Sequence, residues 1–147
     1  YQYWNGVAWF GIGQDLSTPL VVKVSLTSAE ILALNATPKV LAAAVGAGYG
    51  LLASSIAYRY TYGSAAYTTN LTLNVKSTTK TNNDYQIRMT DALDGVASTF
   101  VITAADSPSD KISVVENDSL ELSASTGNPL AGNGTLTVWV TYSIIVW

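Results

Sequence analysis

The sequence predicts an all-β fold, namely a single-domain antiparallel β-sandwich of jelly-roll-like form with about nine strands and one short helix. Apolar residues alternate with a period of two through most of the 147-residue chain, as they do in strands with one buried face. Clusters of Gly, Pro, Asn, Asp and Ser separate these segments and are typical of turns. Many short strands between regular turns favour a sandwich or barrel, and the length suits one domain.

The strands follow from the alternation. The last one is the clearest, because its apolar residues share one face: Leu136, Val138, Val140, Tyr142, Ile144 and Val146. Phe100 and Ile102 mark the apolar face of a shorter strand. The predicted strands are 20–26, 38–45, 50–62, 69–75, 85–89, 98–104, 111–115, 119–123 and 135–146.

One helix is predicted over 27–34. Thr27 and Glu30 have the spacing of a capping box, in which the hydroxyl accepts a hydrogen bond from the third helical amide and the carboxylate accepts one from the cap amide. Pro38 ends the helical segment because the residue before a proline is disfavoured in the helical region. The following "GAGYG" at 46–50 lies between two predicted strands and favours a hairpin turn.

The N-terminal segment differs from the rest of the chain. "YQYWNGVAWF" carries five aromatic residues, Tyr1, Tyr3, Trp4, Trp9 and Phe10, without a steady period. We therefore divide the chain into an aromatic arm, 1–18, and a sandwich domain, 19–147. The aromatic residues either fill the core of their own domain or dock on a neighbouring subunit, where such side chains are enriched at binding hot spots. Stacking on sugars is a third interpretation.

Apolar residues also lie on the second face of the last strand. Trp139, Ile145 and Trp147 stand among polar residues there, and an exposed apolar patch calls for a covering surface. That surface is either the chain's own arm or another subunit. These three residues and the five aromatic residues of the arm are the candidate subunit-interface residues.

The composition excludes most site chemistry. The chain has no histidine and no cysteine, which removes the commonest general base, thiolate chemistry and disulfides. We assign no catalytic, cofactor or metal-binding residues and expect no enzyme. Net charge is −3 with scattered cations, so nucleic acid is not expected as a partner. No apolar run reaches the roughly 18 residues that span a membrane, so no membrane partner is expected.

Residues 25–75 carry a family resemblance. "LTSAEILALNATPKVLAAAVGAGYG" followed by "YRYTYGSAAYTTNLTLNV" resembles a segment of small structural proteins of tailed bacteriophages. Tyr49 departs from that pattern, in which a basic residue is frequent after "GAG". The resemblance implies a capsid decoration (cement) protein or a tail-associated protein, and decoration proteins of this kind are often β-sandwiches that assemble as homotrimers.

The function expected from this resemblance is that of a non-enzymatic virion protein, made in the host cytoplasm, which binds and stabilises the assembled shell at the capsid surface. Its partners would be other copies of itself, the major capsid protein or other virion proteins. The first alternative is a phage tail or receptor-binding module. The second is a carbohydrate-binding module that stacks sugars on Trp4, Trp9, Trp139 or Tyr60.

Overall fold

A computed structural model describes residues 18–105 and 112–146, together with the backbone of 2–4 and 9–11. Within these residues the chain forms ten strands and one short helix. In chain order they are β1 (Gln2–Trp4), β2 (Trp9–Gly11), β3 (Leu20–Leu26), α1 (Ser28–Leu32), β4 (Lys39–Ala42), β5 (Tyr49–Thr61), β6 (Leu73–Ser77), β7 (Ile87–Met89), β8 (Thr99–Ala104), β9 (Leu120–Ala124) and β10 (Thr135–Val146).

Eight of these strands form two four-stranded antiparallel sheets. Sheet one has the order β3-β10-β5-β8 and sheet two the order β4-β9-β6-β7. From β3 onward each connection passes from one sheet to the other, except the one from β6 to β7. This interleaving of two antiparallel sheets is the jelly-roll arrangement, so the predicted fold class is confirmed. β1 and β2 pair in a separate two-stranded sheet.

The core lies between the two sheets. Ile56 and Val138 from sheet one and Val75 and Leu122 from sheet two are fully buried. These residues occupy the apolar side of the alternating patterns, because successive side chains of a strand point to opposite faces. Val146, at the end of β10, is an exception and is 71% exposed.

A β-bulge changes the buried face within β5. The register with β10 passes from Ser55 to Ala53, which leaves Ser54 as the extra residue. Ile56 is buried on one side of the bulge and Ala53 on the other, although they are an odd number of residues apart. The fully buried Gln86 compensates for the local disruption: its Oε1 accepts from Ala53 N at 2.7 Å and its Nε2 donates to Leu51 O at 3.1 Å.

Helix α1 connects β3 of sheet one to β4 of sheet two. The capping box is present: Glu30 N donates to Thr27 Oγ1 at 3.3 Å and Thr27 N donates to Glu30 Oε2 at 2.8 Å. Ile31 and Leu34 anchor the segment in the core with no exposed surface. Lys39 Nζ lies 2.5 Å from Glu30 Oε1. This hydrogen bond, followed by the bonds from Thr27, lowers the pKa of Glu30 from 4.5 to about 2.

Two sequence predictions about local structure are wrong. Residues 112–115 of the predicted strand 111–115 are not a strand. Val114 packs over Gly50 of β5, but backbone pairing with β5 is limited to the residues that follow, where Glu116 forms a bridge with Gly50 and Asn117 N donates to Tyr49 O. "GAGYG" is not a hairpin turn, since β4 and β5 belong to different sheets. Gly46 and Gly48 have φ angles of 112° and 83°, which suit glycine and turn the chain between the sheets.

The predicted division at residue 18 stays a prediction. Residues 1, 5–8 and 12–17 lie outside the described residues, and for 2–4 and 9–11 only the backbone is described.

Candidate interaction surface

The outer face of sheet one is the side of its four strands that points away from sheet two. The register aligns its central side chains in three rows that run across β3, β10, β5 and β8. The rows are Ser25, Thr137, Arg59 and Phe100; Lys23, Trp139, Ala57 and Ile102; and Val21, Thr141, Ser55 and Ala104.

Large apolar side chains of this face are exposed. Phe100 is 58%, Ile102 71% and Val21 65% exposed. Single exposed apolar residues are normal on protein surfaces, but a group of them on one face marks an interaction site. The prediction that Phe100 and Ile102 form the buried face of their strand is wrong, because both side chains are more than half exposed on the outer face, and Val101 on the opposite side of β8 is itself 38% exposed.

Trp139 lies at the centre of the face and connects its apolar and charged parts. Its ring centroid is 6.0 Å from that of Phe100 with an interplanar angle of 57°, a tilted geometry that aromatic pairs prefer. Lys23 Nζ lies 5.6 Å from the Trp139 ring centroid, within the range of a cation–π contact. The indole is half-buried and is held between two strands in a fixed position.

The charge of the three rows has one sign. Lys23 and Arg59 are their charged residues, and no carboxylate stands among the twelve positions. An apolar surface with basic groups complements a partner surface that is apolar and acidic.

Ile145, the second candidate residue that the structure describes, is covered in part by its own chain. A Cβ atom added at Gly50 would lie 2.6 Å from Val114 Cγ1 and 3.5 Å from Ile145 Cγ1. The segment around Val114 therefore packs over Gly50 beside Ile145, which is half-buried.

The other candidate interface residues lie outside what is described. Tyr1 and Trp147 are not among the described residues, and the side chains of Tyr3, Trp4, Trp9 and Phe10 are not described. Of the predicted set, Trp139 thus lies in the exposed face, together with Phe100, Ile102 and Val21, which the sequence did not indicate. The alternation within β8 carries no signal of this exposure, because Phe100, Ile102 and Ala104 form its more apolar side and Thr99, Val101 and Thr103 its more polar side.

The outer face of sheet two has a different character. Asn74 and Lys76 of β6 and Glu121 and Ser123 of β9 point outward there, yet none is more than 6% exposed. Lys76 Nζ is 2.5 Å from Glu121 Oε1 and 2.8 Å from Lys80 O. These polar groups are bonded to the overlying segment 78–84 and are structural.

Asn82 joins that segment to the sheet. Its carbonyl oxygen accepts from Asn74 Nδ2 at 2.8 Å and its Oδ1 from Ser123 Oγ at 2.7 Å, while its Nδ2 donates to Ala124 O at 3.2 Å.

Two surface depressions occur elsewhere on the described structure. One depression, of about 380 Å³, lies between α1 and Pro38. Its two charged residues, Glu30 and Lys39, form an ion pair with each other. The other, of about 350 Å³, lies at the end of sheet two and includes Arg88 and Asp91.

The described residues hold no cluster of acidic side chains able to bind a metal ion. None of the helices in this part of the chain is long and apolar enough to cross a membrane.

Comparisons with known proteins gave weak matches. No protein-family model matches the chain, and no curated protein matches it. Two solved structures are similar to it. The capsid asymmetric unit of cyanophage Pam1 is 18% identical, with 93% of this chain and 91% of that chain covered and a TM-score of 0.49. The capsid of Ralstonia phage GP4 is 14% identical, with 95% of this chain and 92% of that chain covered and a TM-score of 0.48. Likenesses this distant carry no conclusion about function.

Proposed function

We propose that the protein is a non-enzymatic structural component of a phage virion, and specifically a capsid decoration (cement) protein that stabilises the assembled shell. The structural observation that supports the proposal is the outer face of sheet one, which the described residues leave uncovered. The resemblance of residues 25–75 to phage structural proteins supplies the biological setting. The two capsid structures agree with the proposal but do not carry it.

The physics of a cement protein needs a surface and no catalytic group. A ligand that binds only the assembled state stabilises that state by about 2.7 kcal/mol when its free concentration is a hundred times its dissociation constant. The outer face of sheet one is suited to this task because its side chains are placed by a rigid sandwich. Trp139, with the tilted Phe100 ring beside it, would be its central anchor.

The proposal includes the partners and the location. The major capsid protein or another virion protein would cover the face, at the capsid surface, after synthesis in the host cytoplasm. The resemblance also implies a homotrimer, and sedimentation equilibrium of the purified chain would distinguish that state from a dimer.

A binding experiment tests it. Particles that lack the protein are incubated with the purified chain, and the bound copies and the particle melting temperature are measured. We expect saturation at a number of copies set by the capsid lattice and a raised melting temperature. Trp139→Ser should abolish both effects, whereas Val40→Thr should not, because Val40 is 53% exposed on an edge of sheet two. Binding at the tail alone would overturn the cement proposal and support the tail alternative.

One of the four aromatic residues on which the carbohydrate-binding alternative depends is buried. Tyr60 is 1% exposed, so the hypothesis that it stacks a sugar is wrong. Trp139 offers only part of its ring, because Phe100 and Lys23 contact it. A titration with polysaccharides that quenches tryptophan fluorescence in a saturable manner would favour the alternative.

A further inference from the structure

The two sheets have four edge strands, β3 and β8 in sheet one and β4 and β7 in sheet two. Edge strands expose unpaired backbone groups, and proteins protect them with charges, prolines, bulges or short length. Among the described strands, three edges have such protection. β4 has four residues with Lys39 and a register shift, β7 has three with Arg88, and β3 follows Pro19 and carries Lys23.

Strand β8 has none of these devices. Its six residues, "TFVITA", contain no charge, proline or glycine. Its pairing with β5 runs from Thr99 to Ala104 without a register shift. A regular, apolar strand of high β propensity at an edge is a template for another strand.

The backbone directions along β8 follow from one hydrogen bond. Ala105 N donates to Ser54 O at 3.0 Å, while Ala104 stands opposite Ser55. In an antiparallel ladder this makes Ala104 a non-hydrogen-bonded position with respect to β5. The amides and carbonyls of Phe100, Ile102 and Ala104 therefore point to the free edge, and those of Val101 and Thr103 point to β5.

We propose that β8 pairs with β8 of a second copy of this chain, antiparallel and about a two-fold axis, to form one continuous eight-stranded sheet. Ile102 then faces Ile102 of the partner subunit, and Phe100 faces Ala104 of the partner subunit. The outward-pointing backbone groups of the three residues fit this register, since they become the hydrogen-bonded pairs of the new ladder.

Self-pairing is compatible with the charges of the face. Arg59 stands beside Phe100 on β5, so the two copies of Arg59 would be three strand spacings apart, about 14 Å, and offset along the strands. Screening at physiological salt weakens repulsion beyond about 8 Å. The apolar outer faces of both copies become continuous across the junction, so two-fold pairing doubles the surface available to a partner. The inference does not depend on the virion assignment.

Cysteine cross-linking tests the register directly, because the chain contains no cysteine. In the Ile102→Cys variant the two sulfur-bearing residues would have Cα atoms about 5.5 Å apart, within the range of a disulfide. We expect mild oxidation to give a covalent dimer. Val21→Cys is the matched control: Val21 is 65% exposed on β3, the opposite edge of sheet one, and the two copies would be about 34 Å apart.

Edge variants test the same contact without a covalent bond. Ile102→Pro removes an amide that points outward and leaves the β5 ladder intact, whereas Val101→Pro removes an inward hydrogen bond. We expect sedimentation equilibrium to show a dimer for the unmodified chain and a folded monomer for Ile102→Pro. Ile102→Lys gives a second test and should raise the dimer dissociation constant by at least about tenfold, since edge lysines oppose strand pairing. The Val101→Pro variant should lose its folded β circular-dichroism signal.

The cross-linking and sedimentation results test the strand pairing independently of the particle-binding experiment. A monomer throughout the micromolar range, or an oligomer in which Ile102→Cys does not cross-link, overturns the strand pairing and leaves the proposed function to the particle assay. A cross-linked dimer that fails to bind particles supports the strand pairing and counts against the cement proposal.

Discussion

The outer faces of the two sheets are built in opposite ways. In sheet two the outward side chains of the central strands β6 and β9 are polar or charged and almost fully buried, and the segment 78–84 of the same chain is hydrogen-bonded to them. In sheet one the central outward side chains include Phe100, Ile102 and Trp139, and the first two are more than half exposed. Within the described residues, the sandwich therefore covers the centre of one outer face with its own chain and leaves apolar side chains of the other exposed.

The side chains of each outer face differ in whether they need a specific partner when they are buried. Burial of charged and polar groups is costly unless they are paired. In sheet two the ion pair of Lys76 with Glu121 and the bonds of Asn82 supply most of this pairing, and Asn74 Oδ1 is left without a hydrogen-bond partner. Apolar groups need no specific partner and are stabilised by any surface that removes them from water. Sheet one can therefore fold uncovered and still gain free energy when another protein binds.

The largest effect on stability should come from breaking the buried ion pair. Lys76→Met leaves Glu121, in a site where both side chains are less than 10% exposed, without its counter-charge. We expect a loss of about 3–5 kcal/mol in the free energy of unfolding, measured by urea denaturation. The double variant with Glu121→Leu should recover most of that loss. A loss below about 1 kcal/mol, as at exposed pairs, would mean that the face is open to water.

A smaller loss is expected when the cover of sheet two is weakened. Asn82→Ala removes the acceptor of Ser123 Oγ and the donor to Ala124 O, and Ser123 is 1% exposed. A buried hydroxyl left without a partner costs about 1–3 kcal/mol. Hydrogen exchange should also become faster at the amides of β6. Asn83→Ala, in the adjacent exposed position, is the control and should change neither quantity.

The exposed face of sheet one should tolerate polar substitution. Ile102→Thr is expected to change the free energy of unfolding of the monomer by no more than about 0.5 kcal/mol, because the side chain is 71% exposed. The same change at Ile87, which is fully buried, introduces a buried hydroxyl and should cost about 1–3 kcal/mol. Equal losses at the two positions would contradict the difference between an open face and a packed interior.

The smallest effect should come from α1, which connects the two sheets. The pKa of Glu30 is about 2 in the folded protein against an ordinary value of 4.5, so its ionised form contributes stability above pH 4.5. That contribution is lost as the pH falls through about 2. Glu30→Gln should therefore flatten the dependence of stability on pH between these values, as measured by thermal unfolding. An unchanged slope would mean that the bond from Lys39 does not persist in solution.

Sequence patterns were sufficient where structure depends on neighbours along the chain. The capping box of Thr27 and Glu30 forms as predicted, and the strand 135–146 has the predicted bounds and, except for the exposed Val146, the predicted buried face. They were insufficient where a segment needs a distant partner. Residues 112–115 alternate like a strand but pair with no strand, and the neighbouring bridge to Gly50 is made by Glu116. The bulge at Ser54 changes the buried face of β5 through its pairing with β10.

The candidate surface shows the same division. Trp139 stood out as an apolar residue on the polar side of β10, since that strand has a clear alternation. Phe100 and Ile102 are predicted to be buried because they lie on the more apolar side of β8, opposite Thr99 and Thr103. The structure turns this side outward, and only the pairing with β5 decides which side of the strand faces the core.

The all-β class, the single helix and the lack of histidine and cysteine chemistry follow from local order and composition alone, because they depend on residue types and their spacing. The assignment of each strand to a sheet, the open face of sheet one and the free edge of β8 were decided by the tertiary structure. The physical reason is that strand pairing joins residues far apart in the chain, and only the completed sheets define which side chains remain in contact with water.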